Sequence, residues 1–336
     1  MWCSVLGTRK GLGTYDRPCR AVTGGTSLPR YDPYEKVTVE LRAHLEAMSR
    51  CRDAACLVPD SHPFYLDQQG PARPCMPVVP TRLKPRGVMV LGFYPNTRYR
   101  NHQGDPFVPA DDIDEPFEDT RYFDGYGVRR HESGALLEEA YLRPLGLRRE
   151  DVYITNVVKC FLFDEQDVKT CVRHGFAGAG ELRSTYERFP EVAAVCQRLW
   201  LRRELEIAEP ELVICLGSEV FRVVHAKDGT PAAKPVMGQV AGKVLRAGER
   251  KEPWDTRDPN GPFFGLNVVH LYHPGALLRE EPKGRFSEPH REHLEAVRSA
   301  MVELGLTPAV RASAPPTRRE LDAFLTRLAN EPQRRT

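Results

Sequence analysis

The chain has 336 residues, with 48 basic and 46 acidic side chains and a formal net charge of +2. That length can bury a large core, and the near balance of charge lacks the basic excess that marks many nucleic-acid proteins. No apolar run is long enough to span a bilayer, and the opening MWCSVLGTRKGLG has no apolar centre or small-residue cleavage site of a signal peptide, so a cytoplasmic protein is expected.

In chain order, residues 1–34 read as an irregular extension and residues 35–305 as the main domain. The first buried strand is GVMVLG, Gly87–Gly92. Pro109–Glu132 has no regular period and reads as an insertion. A helical pattern, SGALLEEAYLRPLGL, starts at Ser133. The strand VYITNVV, Val152–Val158, follows, then a polar insertion, Asp164–Pro190. A long amphipathic helix, Glu191–Ala208, stops before Pro210. The strand ELVICLG, Glu211–Gly217, precedes a Gly/Pro-rich stretch, Lys227–Pro262, read as a hairpin plus a long loop. The last strand, LNVVHLY, Leu266–Tyr272, runs into HPGALL. From residue 306 a linker, ASAPPT, leads to a short helix, RRELDAFLTRLAN. The four strands are short, β-branched and not cleanly alternating, as strands covered on both faces are. Their alternation with helices predicts a three-layer α/β/α sandwich on a central four-stranded parallel sheet. Ligands of such sheets sit beyond the carboxyl ends of the strands, where GFYPN, TNVVKC, LGS and HPGAL all fall.

Nine cysteines in a reducing compartment point to core thiols, metal ligands or reactive thiols rather than disulfides. Cys215, inside LVICLG, reads as a core residue.

The chain carries CRDAAC, GFYPN, GDPFVP, ITNVVKC, Cys196 ahead of PELVICLG, and YHPGALLR, in that order from about Leu41 to Arg279. In this order the motifs resemble the uracil-DNA glycosylase superfamily, most closely its iron–sulfur branch, families 4 and 5. The resemblance implies a monofunctional DNA glycosylase that flips a pyrimidine out of DNA and hydrolyses its glycosidic bond. It implies DNA as partner and a monomer. His273 would donate to the base carbonyl as charge moves onto the leaving base. Asn156 would read the base edge, offering a donor and an acceptor to uracil, and Phe107 would stack on the base. Leu277 would fill the vacated stack, while Gly275 and Arg279 of the same motif would meet the DNA. Cys51, Cys56, Cys160 and Cys196 would hold a structural [4Fe–4S] cluster. The first pair is spaced C-x4-C rather than C-x2-C, so Cys75 and Cys171 are rival ligands.

Two departures from the family pattern stand out. GFYPN has Phe93 and Tyr94 where relatives carry an acid or amide, and a tyrosine is a poor base near neutral pH. Asp105 and Asn96 are the candidates to hold the attacking water, with Asp124 behind them. The insertion after PFV suggests a reshaped pocket in which Tyr94, Tyr122, Phe123 and Tyr126 make room for a bulkier base. A hypermodified pyrimidine, such as glycosylated hydroxymethylcytosine in phage DNA, would make the protein an antiviral defence enzyme. Other classes are a DNA-binding member of the fold without chemistry and a thiol enzyme built on Cys160. A Rossmann-type nucleotide enzyme is disfavoured, since no G-x-G-x-x-G fingerprint occurs.

Overall fold

The computed structural model describes residues 35–51, 64–65, 73–102, 105–174, 183–227, 229–280 and 287–306, with 317, 319–320, 323–324 and 326–327 beyond them. Helix α1 (Glu35–Ser49) is followed by a two-residue ladder of β1 (Phe64–Tyr65) and β2 (Arg73–Pro74). Strand β3 (Val88–Gly92) leads into two antiparallel hairpins, β4 (Thr97–His102) with β5 (Asp105–Asp112) and β6 (Arg121–Phe123) with β7 (Val128–Arg130). Helix α2 (Glu132–Leu137) and strand β8 (Val152–Asn156) come next. Then come α3 (Glu165–Arg173), α4 (Phe189–Cys196), α5 (Arg202–Ala208) and β9 (Leu212–Leu216). The chain continues through α6 (Ser218–Val224), α7 (Met237–Val240), β10 (Val244–Leu245) and β11 (Val268–Leu271) to α8 (Pro274–Glu280) and α9 (Ser287–Glu303).

The central sheet has the order β10-β11-β9-β3-β8. The four strands read from sequence are mutually parallel, and each is buried along its length. The expected four-stranded parallel sheet is thus extended to a mixed sheet of five, because β10 pairs antiparallel to β11 at the edge. Two residues carry no readable period, which is why the fifth strand had no signature.

Side chains alternate across the sheet as strand geometry requires. Met89, Leu91, Tyr153, Val213 and Cys215 face a core built with Leu41, Leu45 and Leu205 of α1 and α5. Val90, Ile154, Ile214, Val269 and Leu271 face Leu136, Leu137, Leu294 and Val297 of α2 and α9. Helices on both faces make the α/β/α sandwich. Cys215 is fully buried, as read.

The three insertions have their own order. Residues 97–130 form the two hairpins, tied by the Asn101 N–H donating to the Asp124 carbonyl at 2.6 Å. Helix α3 opens with a capping box between Asp164 and Asp167. The segment read as hairpin plus loop contains α7 and β10 and is gathered by Arg257. That guanidinium is fully buried, bonds the Asp255 carboxylate and donates to the carbonyls of Arg246, Glu249, Phe263 and Leu266.

Candidate functional site

Register brings the carboxyl ends of β3 and β8 side by side, with Gly92 opposite Asn156. The chain steps from β3 out to β8 and back across to β9, so strand order reverses between β3 and β9, beside this pair, and the carboxyl ends there are the usual place for a ligand. Asn156 is 1 % exposed, and neither its Oδ1 nor its Nδ2 has a hydrogen-bond partner among the described residues. A buried amide left unanswered at both ends costs about 1–3 kcal/mol per group. Native proteins seldom keep that cost without a reason. A Cβ at residue 92 would lie 2.3 Å from Asn156 Oδ1 and 2.4 Å from Phe117 Cε2. Gly92 therefore lets an amide and an aromatic ring meet over the strand end.

Phe117, in DEPFED, was missed from sequence. Its backbone has φ 53°, a left-handed conformation uncommon for a non-glycine residue. Several groups hold it there. Arg149 donates to the Phe117 carbonyl and, at 3.2 Å, to that of Pro116, and pairs with Glu115 at 3.1 Å and Glu138 at 2.7 Å. The next residue, Glu118, is buried against Arg98 at 2.9 Å. From the other side, a Cβ at Gly134 of SGALL would fall 2.2 Å from the Glu118 carbonyl. Strain kept by several independent contacts is a mark of a functional position.

His273 completes the group. Its ring is 5.7 Å from that of Phe117, and its β-carbon lies against Gly217 at the end of β9. The Gly275 N–H donates to His273 Nδ1 at 3.0 Å. An Nδ1 that accepts puts the proton of the neutral ring on Nε2, so the far side of the ring is a donor.

Other expected site residues lie elsewhere. Phe107 is 43 % exposed; its ring meets Tyr99 at 6.3 Å and the Arg129 guanidinium at 5.4 Å, on the hairpins, and the aromatic beside Asn156 and His273 is Phe117 instead. Leu277, expected as the wedge, lies in the core. It is 0 % exposed and packs with Leu216, Leu271 and Leu294, because HPGALL continues as α8 and that helix turns Leu277 inward. Gly275, expected to meet the DNA, donates its N–H to His273 Nδ1. Arg279 lies in α8 with its side chain outside the described residues. Tyr94 packs edge-on to Phe93 at 5.2 Å and against Phe161 at 6.0 Å and Tyr186 at 5.9 Å, in an aromatic cluster that also takes Phe93. Tyr122 stacks on His131, while Phe123 and Tyr126 are exposed, so the four aromatics expected to line one pocket are dispersed.

Asp105 pairs with His102 at the start of β5, its side chain outside the described residues. Asp124 is buried and accepts from the Tyr126 and Gly127 N–H groups and Arg129, each at 2.8 Å. Burial works to raise its pKa, but those bonds prevail and hold it below the ordinary carboxylate value. Those contacts close the turn between β6 and β7. Asn96 remains, exposed at the end of GFYPN, accepting from the Thr97 N–H at 2.9 Å.

The cysteines gather around Cys160. Burial pushes its thiol well up, and Cys75, Cys196 and Cys51 are near enough to add to the effect. Cys56 lies outside the described residues. Cys171 packs with Phe161, Phe163 and Val108, its thiol pushed up to about 12 by burial and by Asp167. Among the described residues no three His, Cys, Asp or Glu side chains stand close enough to hold a metal ion. Beside Cys160, Lys159 is buried, donating to Glu204 at 2.5 Å and to Thr155 at 2.8 Å. No helix among the described residues is long and apolar enough to cross a membrane.

Comparison with known proteins places the chain in a family. Residues 81–298 match the family model of the uracil DNA glycosylase superfamily, over half the chain. A type-4 uracil-DNA glycosylase of Archaeoglobus fulgidus is 30 % identical over 165 residues, covering 46 % of this chain and 63 % of that protein. One from Pyrobaculum aerophilum is 28 % identical over 206 residues, covering 60 % of this chain and 74 % of that protein.

Proposed function

The chain belongs to the uracil DNA glycosylase superfamily, and from that premise we propose that it flips a pyrimidine out of DNA and hydrolyses the glycosidic bond, leaving an abasic site. The observation that carries the reading is the buried Asn156 amide, with both polar ends unanswered, beside Phe117 and His273. The N3–H and O4 of an extruded uracil present the acceptor-seeking and donor-seeking groups that such an amide lacks. The Phe117 face would stack on the base, a contact worth about 1–3 kcal/mol. The His273 Nε2–H would meet the base carbonyl on which negative charge grows as the bond breaks.

No lysine serves as a Schiff-base nucleophile in this scheme. Lys159, the one in the TNVVKC motif, is committed to Glu204 and Thr155. Simple hydrolysis follows, and a borohydride-trapped adduct with DNA would contradict it.

Four thiolates suit an iron–sulfur cluster. We propose Cys51, Cys160 and Cys196 among its ligands, with Cys56 or Cys75 as the fourth. Cys75, like Cys51 and Cys196, lies near enough to act on the Cys160 thiol, and Cys56 lies outside the described residues. Such a cluster would tie α1 and α4 to the end of β8 without taking part in the chemistry. Iron and acid-labile sulfide in anaerobically purified protein, lost in Cys160→Ser, lost in one of Cys56→Ser and Cys75→Ser, and kept in Cys171→Ser, would support the assignment. A chain with neither element would refute it.

The glycosylase reading is tested by mass spectrometry of bases released from duplexes carrying uracil, mismatched pyrimidines or glycosylated hydroxymethylcytosine. Free base with a matching abasic site is expected, and its loss in Asn156→Ala. DNA retained without release from any member of the panel would favour the binding protein instead. The hairpins joining β3 to α2, with Phe123 and Tyr126 exposed, keep the bulky-base reading in the panel; release of uracil alone would dismiss it.

A further inference from the structure

The first turn of the site lacks a carboxylate, yet the side chains just beyond it form an arrangement that the scheme above leaves unused. The Asn96 amide is held at both ends. Its Oδ1 takes the Thr97 N–H at 2.9 Å, which tells the oxygen end from the nitrogen end, and its Nδ2 then faces His131 Nδ1 at 3.4 Å. A donor facing Nδ1 makes that nitrogen an acceptor and leaves the proton of the neutral ring on Nε2.

His131 is 5 % exposed, the Tyr122 ring stacks on it at 4.8 Å and 25°, and its Nε2 has no partner among the described residues. It precedes α2 without using its side chain to cap the helix. Three residues on is Gly134, which seats Phe117. The same helix start therefore sets both the imidazole and the aromatic of the site.

We propose that His131 is a positioning residue which locks the Asn96 amide, so that the pair replaces the missing carboxylate in holding the attacking water. This rests on the glycosylase reading. The glycosidic bond breaks with its electron pair leaving on the base, the water oxygen bonds to the anomeric carbon, and the surplus proton of the water goes to the departed base anion. Asn96 takes no proton in this sequence. Its Oδ1 keeps a second lone pair for a water O–H, and that lone pair has a fixed direction only while Nδ2 is engaged by His131.

Groups facing the imidazole set where the lock opens. Burial lowers its proton affinity, Glu118 and Asp119 act to raise it, and Arg98 acts to lower it, for a net value below the ordinary 6.5. At neutral pH Nδ1 is an acceptor. As pH falls through the lowered value it gains a proton and turns its charge on Nδ2.

The test is single-turnover base release by the full chain. His131→Phe keeps a ring for Tyr122 but removes Nδ1. It should slow release on the order of tenfold to a hundredfold, as a misplaced reacting group does, with affinity for abasic-site DNA unchanged. Asn96→Ala should lose about as much, and the double variant little more than either alone. His131→Asn, which returns an acceptor near the Nδ1 position, should recover most of the rate and lack the acid limb of the wild-type pH profile, a change that a merely structural residue would not produce. Wild-type release matched by a folded His131→Phe, or losses that multiply in the double variant, would overturn the proposal. A wild type that releases no base from the panel would instead overturn the reading beneath it.

Discussion

The two sides of the rim are built differently. Asn156 and His273 stand at the ends of β8 and β11, where buried strands stop and the next residues are short-range consequences of the stop. Phe117 and Asn96 stand in the stretch between β3 and α2, where hairpins intervene and position depends on contacts from Arg149, Gly134 and Arg98. On the first side a residue's place follows from its own strand. On the second it follows from partners far along the chain.

Substitutions can break or sharpen that contrast. The largest effect should come from Leu277→Ala, costing about 2–5 kcal/mol of stability as a buried leucine truncation, read by denaturant unfolding. Base release per folded molecule should hardly change. A stable variant that fails to flip its base would restore the wedge role to this side. Next is His273→Ala, expected to lower the maximal rate of base release by about 10²–10³-fold, the usual loss of a donor to developing charge; less than threefold would remove it from the chemistry.

Phe117→Ala should weaken binding of DNA with an extruded base by about 1–3 kcal/mol, measured by fluorescence of a base analogue. Phe107→Ala provides the sharpest internal control, with a change in base release of no more than about 0.5 kcal/mol, as is usual for a surface substitution. Reversed effects of these two phenylalanines would mean that the stacking ring belongs to the hairpins after all.

The same contrast explains what the sequence made legible. Four strands showed themselves as short β-branched runs, and their ends marked Asn156 and His273 directly. The burial of Leu277 was not legible, because HPGALL looks like a turn, while the backbone coils it into a helix that turns this side chain inward. The choice between Pro106-Phe107 and Pro116-Phe117 cannot be made locally, since the dipeptides are alike. A glycine at 134, able to approach the backbone of residues 117 and 118, is what lets Phe117 sit beside Asn156. The C-x4-C spacing left the fourth cluster ligand open between Cys56 and its rivals, and of those rivals it is Cys75 that acts on the Cys160 thiol.

An amide with no neighbour gripping either end has a further consequence. Turned over by half a rotation, Asn156 would greet the edge of cytosine as readily as that of uracil. Discrimination would then rest on how willingly each ring departs as an anion, and rates across ring-substituted pyrimidines should track their acidity. A series in which acidity made no difference would mean that the choice is made by shape.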